Sequence, residues 1–237
     1  MISLDRLLES YYKTKLNIIM ISLAFLGVVG ALIRIFWFTP FDAYQGVVQK
    51  IFYIHLPCAI VTFVAFFGVF LASIIFLKTR SGIADDLALS LAEVGVFFCS
   101  LVLITGPIWA KPAWGAYWTW DNRLTTTLIL WVLYVGYLLL RQLSLESERG
   151  KIAAAILGII AFLDVPIIKM SVTWWRSIHP TVLSGTPGTG LDPSMARTLG
   201  ISLGAFLFFF TILFIERFAL ARAGTLLKRA RMSMEVL

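Results

Sequence analysis

The chain has 237 residues, of which 59% are hydrophobic and only 14% are charged, and its formal net charge is +7. A soluble domain carries about 25% charged residues, so this composition excludes a water-soluble globule and indicates a protein surrounded by lipid. It also excludes a disulfide scaffold, because the two cysteines, Cys58 and Cys99, both lie inside apolar stretches.

Six apolar runs follow one another along the chain, and runs of about 20 residues are long enough to cross a hydrocarbon core as helices. They lie near residues 17–38, 54–77, 87–108, 124–140, 152–170 and 199–221. The first run is too long for a removable signal peptide and lacks a small-residue cleavage site. The sequence therefore predicts an all-α polytopic membrane protein with six transmembrane helices and a single membrane domain over residues 1–237.

Basic residues are distributed unevenly between the two sets of connections that six spans create. The N-terminal tail, residues 78–86, residues 141–151 and the C-terminal tail hold twelve Lys and Arg, whereas residues 39–53, 109–123 and 171–198 hold five. Because short cytoplasmic loops retain Lys and Arg, we expect both termini in the cytoplasm and the second set of segments on the outer face. The net charge is mostly this topology signal, with some attraction to anionic membrane lipid, and does not indicate nucleic-acid binding.

Both histidines of the chain fall on the predicted outer face, His55 at the mouth of the second span and His179 in the last outer segment. A lone imidazole near a helix end is more often a hydrogen-bonded structural group than a ligand. Two on one face, in different segments, could instead ligate one metal from opposite sides, which haem iron accepts. Zinc is the weaker alternative, because two histidines without a cysteine fall short of a closed tetrahedral site.

Aromatic residues are concentrated on the same face, where seven of the eight tryptophans lie at or near the predicted boundary. The densest segment is 109–123. If the part after Pro112 is helical, one face carries Trp114, Tyr117, Trp118 and Asp121. We therefore expect a short amphipathic helix lying flat on the outer surface.

An aromatic belt at the membrane interface is the alternative interpretation of these rings. The other interface has few aromatic residues, however, and this asymmetry favours a flat, apolar ligand such as haem. Its two propionates require cations, and Arg suits carboxylates better than Lys because its planar group donates two hydrogen bonds at once. The nearby cations are Lys111, Arg123 and Arg176.

Charged residues inside the spans need partners or a polar cavity, because burying them in lipid is costly. Arg34 and Asp164 fall in the outer halves of the first and fifth spans. They could form an interhelical salt bridge, or Arg34 could face a haem propionate. Glu216, next to Arg217, is interpreted as structural, and the role of Glu93 stays open.

The residues assembled above resemble the haem-handling family named for its tryptophan-rich WWD motif, and most closely its small six-span members. The resemblance extends through nearly the whole chain. Its specific parts are Tyr53-Ile54-His55-Leu56-Pro57, Thr105-Gly106 through Trp109, Lys111-Pro112, Trp114-Gly115, Trp118, Trp120-Asp121, Arg123-Leu124-Thr125, Pro166-Ile167-Ile168, Ser171-Val172, Trp174-Trp175, His179, Asp192-Pro193 and Met195. One departure is Tyr117, where the family commonly has Trp.

This resemblance implies that His55 and His179 are the haem-associated histidines and that residues 109–123 form a periplasmic WWD segment. It implies a cofactor-binding set made of Lys111, Trp114, Tyr117, Trp118, Trp120, Asp121, Arg123, Trp174, Trp175 and Arg176. The expected cargo is haem b, held on the periplasmic side of a bacterial inner membrane. The expected partners are a membrane-anchored haem chaperone, a small membrane subunit and an ABC-type ATPase and permease pair of cytochrome c maturation.

No residue pattern indicates a nucleophile with its base, so we expect neither catalytic residues nor enzyme activity. Two other functions stay open from the sequence. A small-molecule or haem transporter subunit would show an internal repeat and broken helices, and no convincing repeat is visible between the halves. An assembly subunit would use its aromatic surface for a protein partner and bind no cofactor.

Overall fold

The computed structural model describes residues 4–144, 147–175 and 191–235, and these are almost entirely helical. A π-helical turn at Arg34–Phe38 extends the second helix, and a 3-10 turn at Val47–Ile51 precedes the third. The α-helices are α1 (Leu4–Lys13), α2 (Leu16–Ile33), α3 (Phe52–Thr79), α4 (Gly82–Trp114), α5 (Asn122–Leu143), α6 (Glu148–Phe162), α7 (Asp164–Trp174) and α8 (Pro193–Glu235).

Six helical segments within the described residues are long and apolar enough to cross a membrane, which confirms the predicted all-α architecture with six transmembrane helices. They are Leu16–Phe38, Val47–Thr79, Gly82–Trp114, Asn122–Leu143, Glu148–Ser171 and Pro193–Lys228. Because successive spans alternate in direction, residues 39–46 and 115–121 lie at one end of the bundle, called the site end below. The α3–α4 connection lies at the opposite end, called the termini end.

The α3–α4 hairpin forms the centre of the bundle, and these two helices make the most extensive contact of any pair. Their close approach depends on small residues, since a Cβ atom at Gly95 would lie only 2.6 Å from the Phe66 ring. On its other side Phe66 stacks on Tyr134 of α5 with ring centroids 3.7 Å apart. Small residues at the interface are how membrane helices gain packing contact without a hydrophobic driving force.

The fifth span is broken rather than continuous. Helix α6 ends at Phe162, the N–H of Leu163 bonds to the carbonyl of Ile160, and α7 begins at Asp164. Pro166 supplies no N–H to the carbonyl four residues earlier, so the helix cannot continue regularly through this point. Trp174, the last residue of α7, lies toward the site end because the fifth span runs in that direction.

A network of buried charges joins the helices near the termini end. Asp85, which is 3% exposed, accepts a 3.0 Å hydrogen bond from Arg141 Nη2 and lies 3.0 Å from Lys151 Nζ. Arg222 of α8 donates to Asp5 at 2.9 Å and lies 3.5 Å from Asp86. Ion pairs thus tie the first turns of α4 directly to α5, α6 and α8, and Arg222 of α8 in turn joins α1 through Asp5.

Glu93 and Glu216, the acidic residues within the third and sixth spans, bind side chains that are distant from them in the sequence. Arg217 donates to Glu93 at 2.8 Å, linking α8 with α4. Glu216 accepts hydrogen bonds from the hydroxyls of Tyr11 at 3.1 Å and Tyr12 at 2.7 Å. Burial, together with the Glu216 carboxylate, raises the pKa of Tyr11 to about 12, so its hydroxyl stays a donor at neutral pH. Glu216 therefore anchors α1 on α8, as its predicted structural role requires.

Arg34 and Asp164 do not pair. The Arg34 guanidinium donates to the hydroxyls of Thr198 at 3.3 Å and Ser194 at 3.5 Å, both in the first turns of α8. One carboxylate oxygen of Asp164 is buried without a hydrogen-bond partner in the described part of the chain. The predicted salt bridge is absent because Arg34 is turned toward α8, which packs against α2.

Candidate functional site

His55 is the fourth residue of α3, and it is 9% exposed. Its Nδ1 atom is 2.9 Å from the hydroxyl oxygen of Thr105 on α4. Trp109, one turn further along α4, meets the imidazole edge-on with ring centroids 5.9 Å apart. The other ring nitrogen, Nε2, makes no hydrogen bond within the described residues. One nitrogen of a buried imidazole is thus held, and the other is available.

Pro57 modifies the backbone around His55. Proline has no N–H, so the carbonyl of Tyr53 loses its usual helical donor. The hydroxyl of Ser202 on α8 donates to that carbonyl instead. In a membrane, a freed backbone carbonyl needs such a replacement, and here the replacement also fixes α8 beside the turn of α3 that carries His55.

Trp109 links His55 to residues 39–46, which are called the first connection below and lie at the site end. Its indole N–H donates to the side-chain oxygen of Gln45 at 2.8 Å. Beside the indole lies a cavity of about 300 Å³, whose other lining residues are Tyr44, Gln45, Val48, Pro112, Ala113 and Trp114. The cavity is therefore lined by the first connection, the 3-10 turn that follows it and the last turns of α4. It lies next to the contact between His55 and Trp109.

The Trp-rich segment is not the predicted amphipathic helix. Helix α4 continues through Trp114 and stops at Gly115, whose φ of +81° is left-handed, a conformation that glycine adopts at little cost. Residues 115–121 are irregular, and Asp121 begins α5 by accepting a 2.9 Å bond from Thr125 N and a 3.0 Å bond from Arg123 N. Two strong helix-boundary signals thus prevail over the helical spacing of the aromatic residues, and the predicted helix is wrong.

The rings of this segment have different environments. Trp118 is half-buried and packs edge-on against Trp120, with centroids 5.8 Å apart. Tyr117 and Trp120 are 60% and 70% exposed. Lys111 donates to the carbonyl of Gly115 at 3.0 Å and its Nζ lies 5.4 Å from the Tyr117 ring centroid. The segment presents an open aromatic surface that is fixed at both of its ends.

Buried polar atoms without a partner cluster beside this surface. In the part of the chain that the structure describes, they include Nε1 of Trp118, Oγ1 of Thr119, Nε of Arg123 and Oγ1 of Thr125. Such atoms are costly unless a bound molecule supplies the missing hydrogen bond. Two of them are N–H donors, one on a guanidinium, and suit the carboxylates of an anionic ligand.

The last predicted aromatic pair stands at the end of α7. Trp174 and Trp175 are 59% and 49% exposed and pack edge-on, with centroids 5.9 Å apart. Helix α7 packs against α5, the helix that follows the Trp-rich segment. Arg176 and His179 lie outside the described residues, so the convergence of the two histidines stays a prediction.

Sequence reasoning missed Thr105 and Gln45 as neighbours of the site. Thr105 and Trp109 are four residues apart on α4 and therefore share a helix face, a signal that was available. Gln45 lies in an irregular connection, where no helical or strand periodicity indicates which residues its side chain will contact. Tertiary packing alone brings it to Trp109.

Comparison with known proteins places these residues in a family. The sequence model of the family described as Heme exporter protein C matches residues 7–235. The Heme exporter protein C of Bradyrhizobium diazoefficiens is 35% identical over 199 residues, covering 84% of this chain and 74% of that protein. That of Escherichia coli strain K12 is 36% identical over 172 residues, covering 73% and 69%. A putative cytochrome c biosynthesis ccmC-like mitochondrial protein of Marchantia polymorpha is 33% identical over 179 residues, covering 76% of each chain.

Proposed function

The chain belongs to the haem exporter protein C family, and on this premise we propose that it holds haem b at the outer face of the membrane and delivers it to a haem chaperone. Its membership gives it a role in haem handling for cytochrome c maturation as a multi-pass membrane protein. We propose the haem ligands, the side of the membrane on which haem is held and the chaperone that receives it.

The observation that carries the proposal is the environment of His55. The imidazole is buried, one nitrogen is held by Thr105 at 2.9 Å, and the other has no hydrogen bond among the described residues. It lies beside Trp109, which lines the cavity at the site end. An imidazole with one nitrogen free of hydrogen bonds is suited to axial ligation of haem iron.

The remaining site residues would share the other demands of haem. The two propionates need cations, which Arg123, Lys111 and Arg176 would supply, with the buried Nε of Arg123 as a donor. Asp121 would act indirectly, since it caps α5 and so fixes the position of Arg123 in the first turn of that helix. Rings would cover the macrocycle, and they belong to Trp114, Tyr117, Trp118, Trp120, Trp174 and Trp175.

We propose His179 as the second axial ligand. A second ligand that can be released suits a protein that must give up its cargo. The chain itself supplies no nucleophile in this scheme. Covalent attachment would be the chemistry of haem and of the chaperone, and a small membrane subunit and an ABC-type ATPase and permease pair would complete the assembly.

The first test is the absorption spectrum of the full-length chain purified from haem-replete cells. We expect a Soret band that disappears when His55 and His179 are both replaced by alanine, while the amount of folded protein is unchanged. A colourless wild-type preparation would overturn the proposal and favour a cofactor-free assembly subunit. A Soret band that survives in the double variant would show that the chain binds haem without His55 and His179 as ligands.

A further inference from the structure

We infer that Thr105 is a positioning residue that holds His55 with its proton on Nδ1 and so leaves Nε2 as the nitrogen that binds iron. The inference rests on the proposed function and deepens it, because it names the ligating atom and the group that selects it. The observation behind it is a chain of two hydrogen bonds, from His55 to Thr105 and from Thr105 to the backbone of α4.

The hydroxyl of Thr105 donates to the backbone of its own helix. Thr105 Oγ1 lies 2.7 Å from the carbonyl oxygen of Leu101, four residues earlier on α4. A carbonyl carries no proton, so two oxygens at this distance require the hydroxyl proton between them. The single proton of Thr105 is therefore committed to its own helix backbone.

The hydrogen bond between Thr105 and His55 determines which imidazole nitrogen carries the proton. With its proton used, Thr105 Oγ1 can only accept the 2.9 Å hydrogen bond that joins it to His55 Nδ1. The proton of that bond must therefore be carried by Nδ1. In the neutral imidazole only one nitrogen is protonated, so Nε2 carries a lone pair, as an iron ligand must.

Packing keeps the ring in this orientation. Trp109 meets the ring edge-on from the next turn of α4. Gly106, adjacent to Thr105, lies on the same side of the ring, since a Cβ atom there would be at ordinary van der Waals distance, 3.5 Å, from His55 Cε1. Thr105 and Trp109 therefore contact the imidazole from one stretch of α4, and rotation of the ring would give up the Nδ1 bond inside a buried environment.

The inference is tested by replacing Thr105 with valine, which has the same shape but no hydroxyl. Serine at the same position restores the hydroxyl. Thr62→Val is the matched control, because Thr62 on α3 is buried and donates to the carbonyl of Cys58 at 2.8 Å in the same way. Full-length purified proteins are titrated with haem, and the reduction potential of the bound haem is measured.

We expect T105V to bind haem about 10- to 100-fold more weakly, the usual cost of losing a partner behind a metal-binding histidine. We also expect its reduction potential to become more positive, because an Nδ1–H bond raises imidazole basicity and favours ferric iron. T105S and T62V should resemble the wild type. If T105V matches T62V in affinity and potential while the wild type binds haem, the inference is wrong and the proposed function stands. If the wild type binds no haem, the proposed function fails and this inference fails with it.

Discussion

Replacing His55 by glycine is expected to lower the haem affinity of the purified chain by about 100-fold or more. The partner behind a ligating histidine is already worth about 10- to 100-fold, and the ligand itself contributes at least as much. The side chain is 9% exposed and contacts Trp109, so its removal leaves a hole of imidazole size next to the aromatic site.

Imidazole added to the His55→Gly protein provides the control for this experiment. It can enter the hole that the side chain leaves, coordinate the iron and restore the Soret band. Haem titrations with and without imidazole therefore separate loss of a ligand from loss of folding. Unchanged haem affinity in the glycine variant would contradict axial ligation by His55. A loss that imidazole leaves uncorrected would show that the residue supports the fold.

Replacing Asp85 by asparagine is expected to lower the free energy of unfolding by about 3–5 kcal/mol, the usual cost of breaking a buried ion pair. Asp85 is 3% exposed and faces both Arg141 and Lys151. Without the carboxylate, two positive charges remain close together, and Arg141 is 5% exposed. The effect should appear as a lower midpoint of unfolding in detergent.

A surface ion pair provides the comparison for this variant. Glu9 and Lys13 on α1 are 2.8 Å apart, but their side chains are 62% and 75% exposed. Exposed pairs contribute little to stability, so Glu9→Gln should leave the midpoint nearly unchanged. The folded Asp85→Asn protein should also retain its haem spectrum, because Asp85 lies near the termini end. Equal midpoints for the two variants would contradict a stabilising role for the buried network.

Much of the fold could be predicted because span length and apolarity are local properties of the sequence. The six apolar runs were enough to predict the number of spans. The depth of a charged residue in the membrane, however, does not show which residue of another helix it contacts. Arg34 and Asp164 are at comparable predicted depths, yet Arg34 bonds to Thr198 and Ser194. Arg217 likewise reaches Glu93 rather than the adjacent Glu216. Depth in the membrane constrains which charges can pair, and helix packing decides which do.

The local structure of the candidate site could be predicted only in part. Helical spacing suggested a helix through Trp114 and Asp121, but Gly115 with its positive φ and the Asp121 cap end two helices around an irregular segment. Both boundary signals stand in the sequence and outweigh the spacing. The Thr105–His55 bond joins residues 50 positions apart, so only the packing of α3 on α4 reveals it.

The most direct test of the account is the coordination state of iron in the haem-loaded full-length chain, measured by absorption and electron paramagnetic resonance spectroscopy. We predict a six-coordinate, low-spin spectrum with two histidine ligands in the wild type. His179→Ala and His55→Gly should each convert it to a spectrum with one histidine ligand. A wild-type spectrum without histidine ligation, or a low-spin spectrum that both single variants retain, would contradict the account.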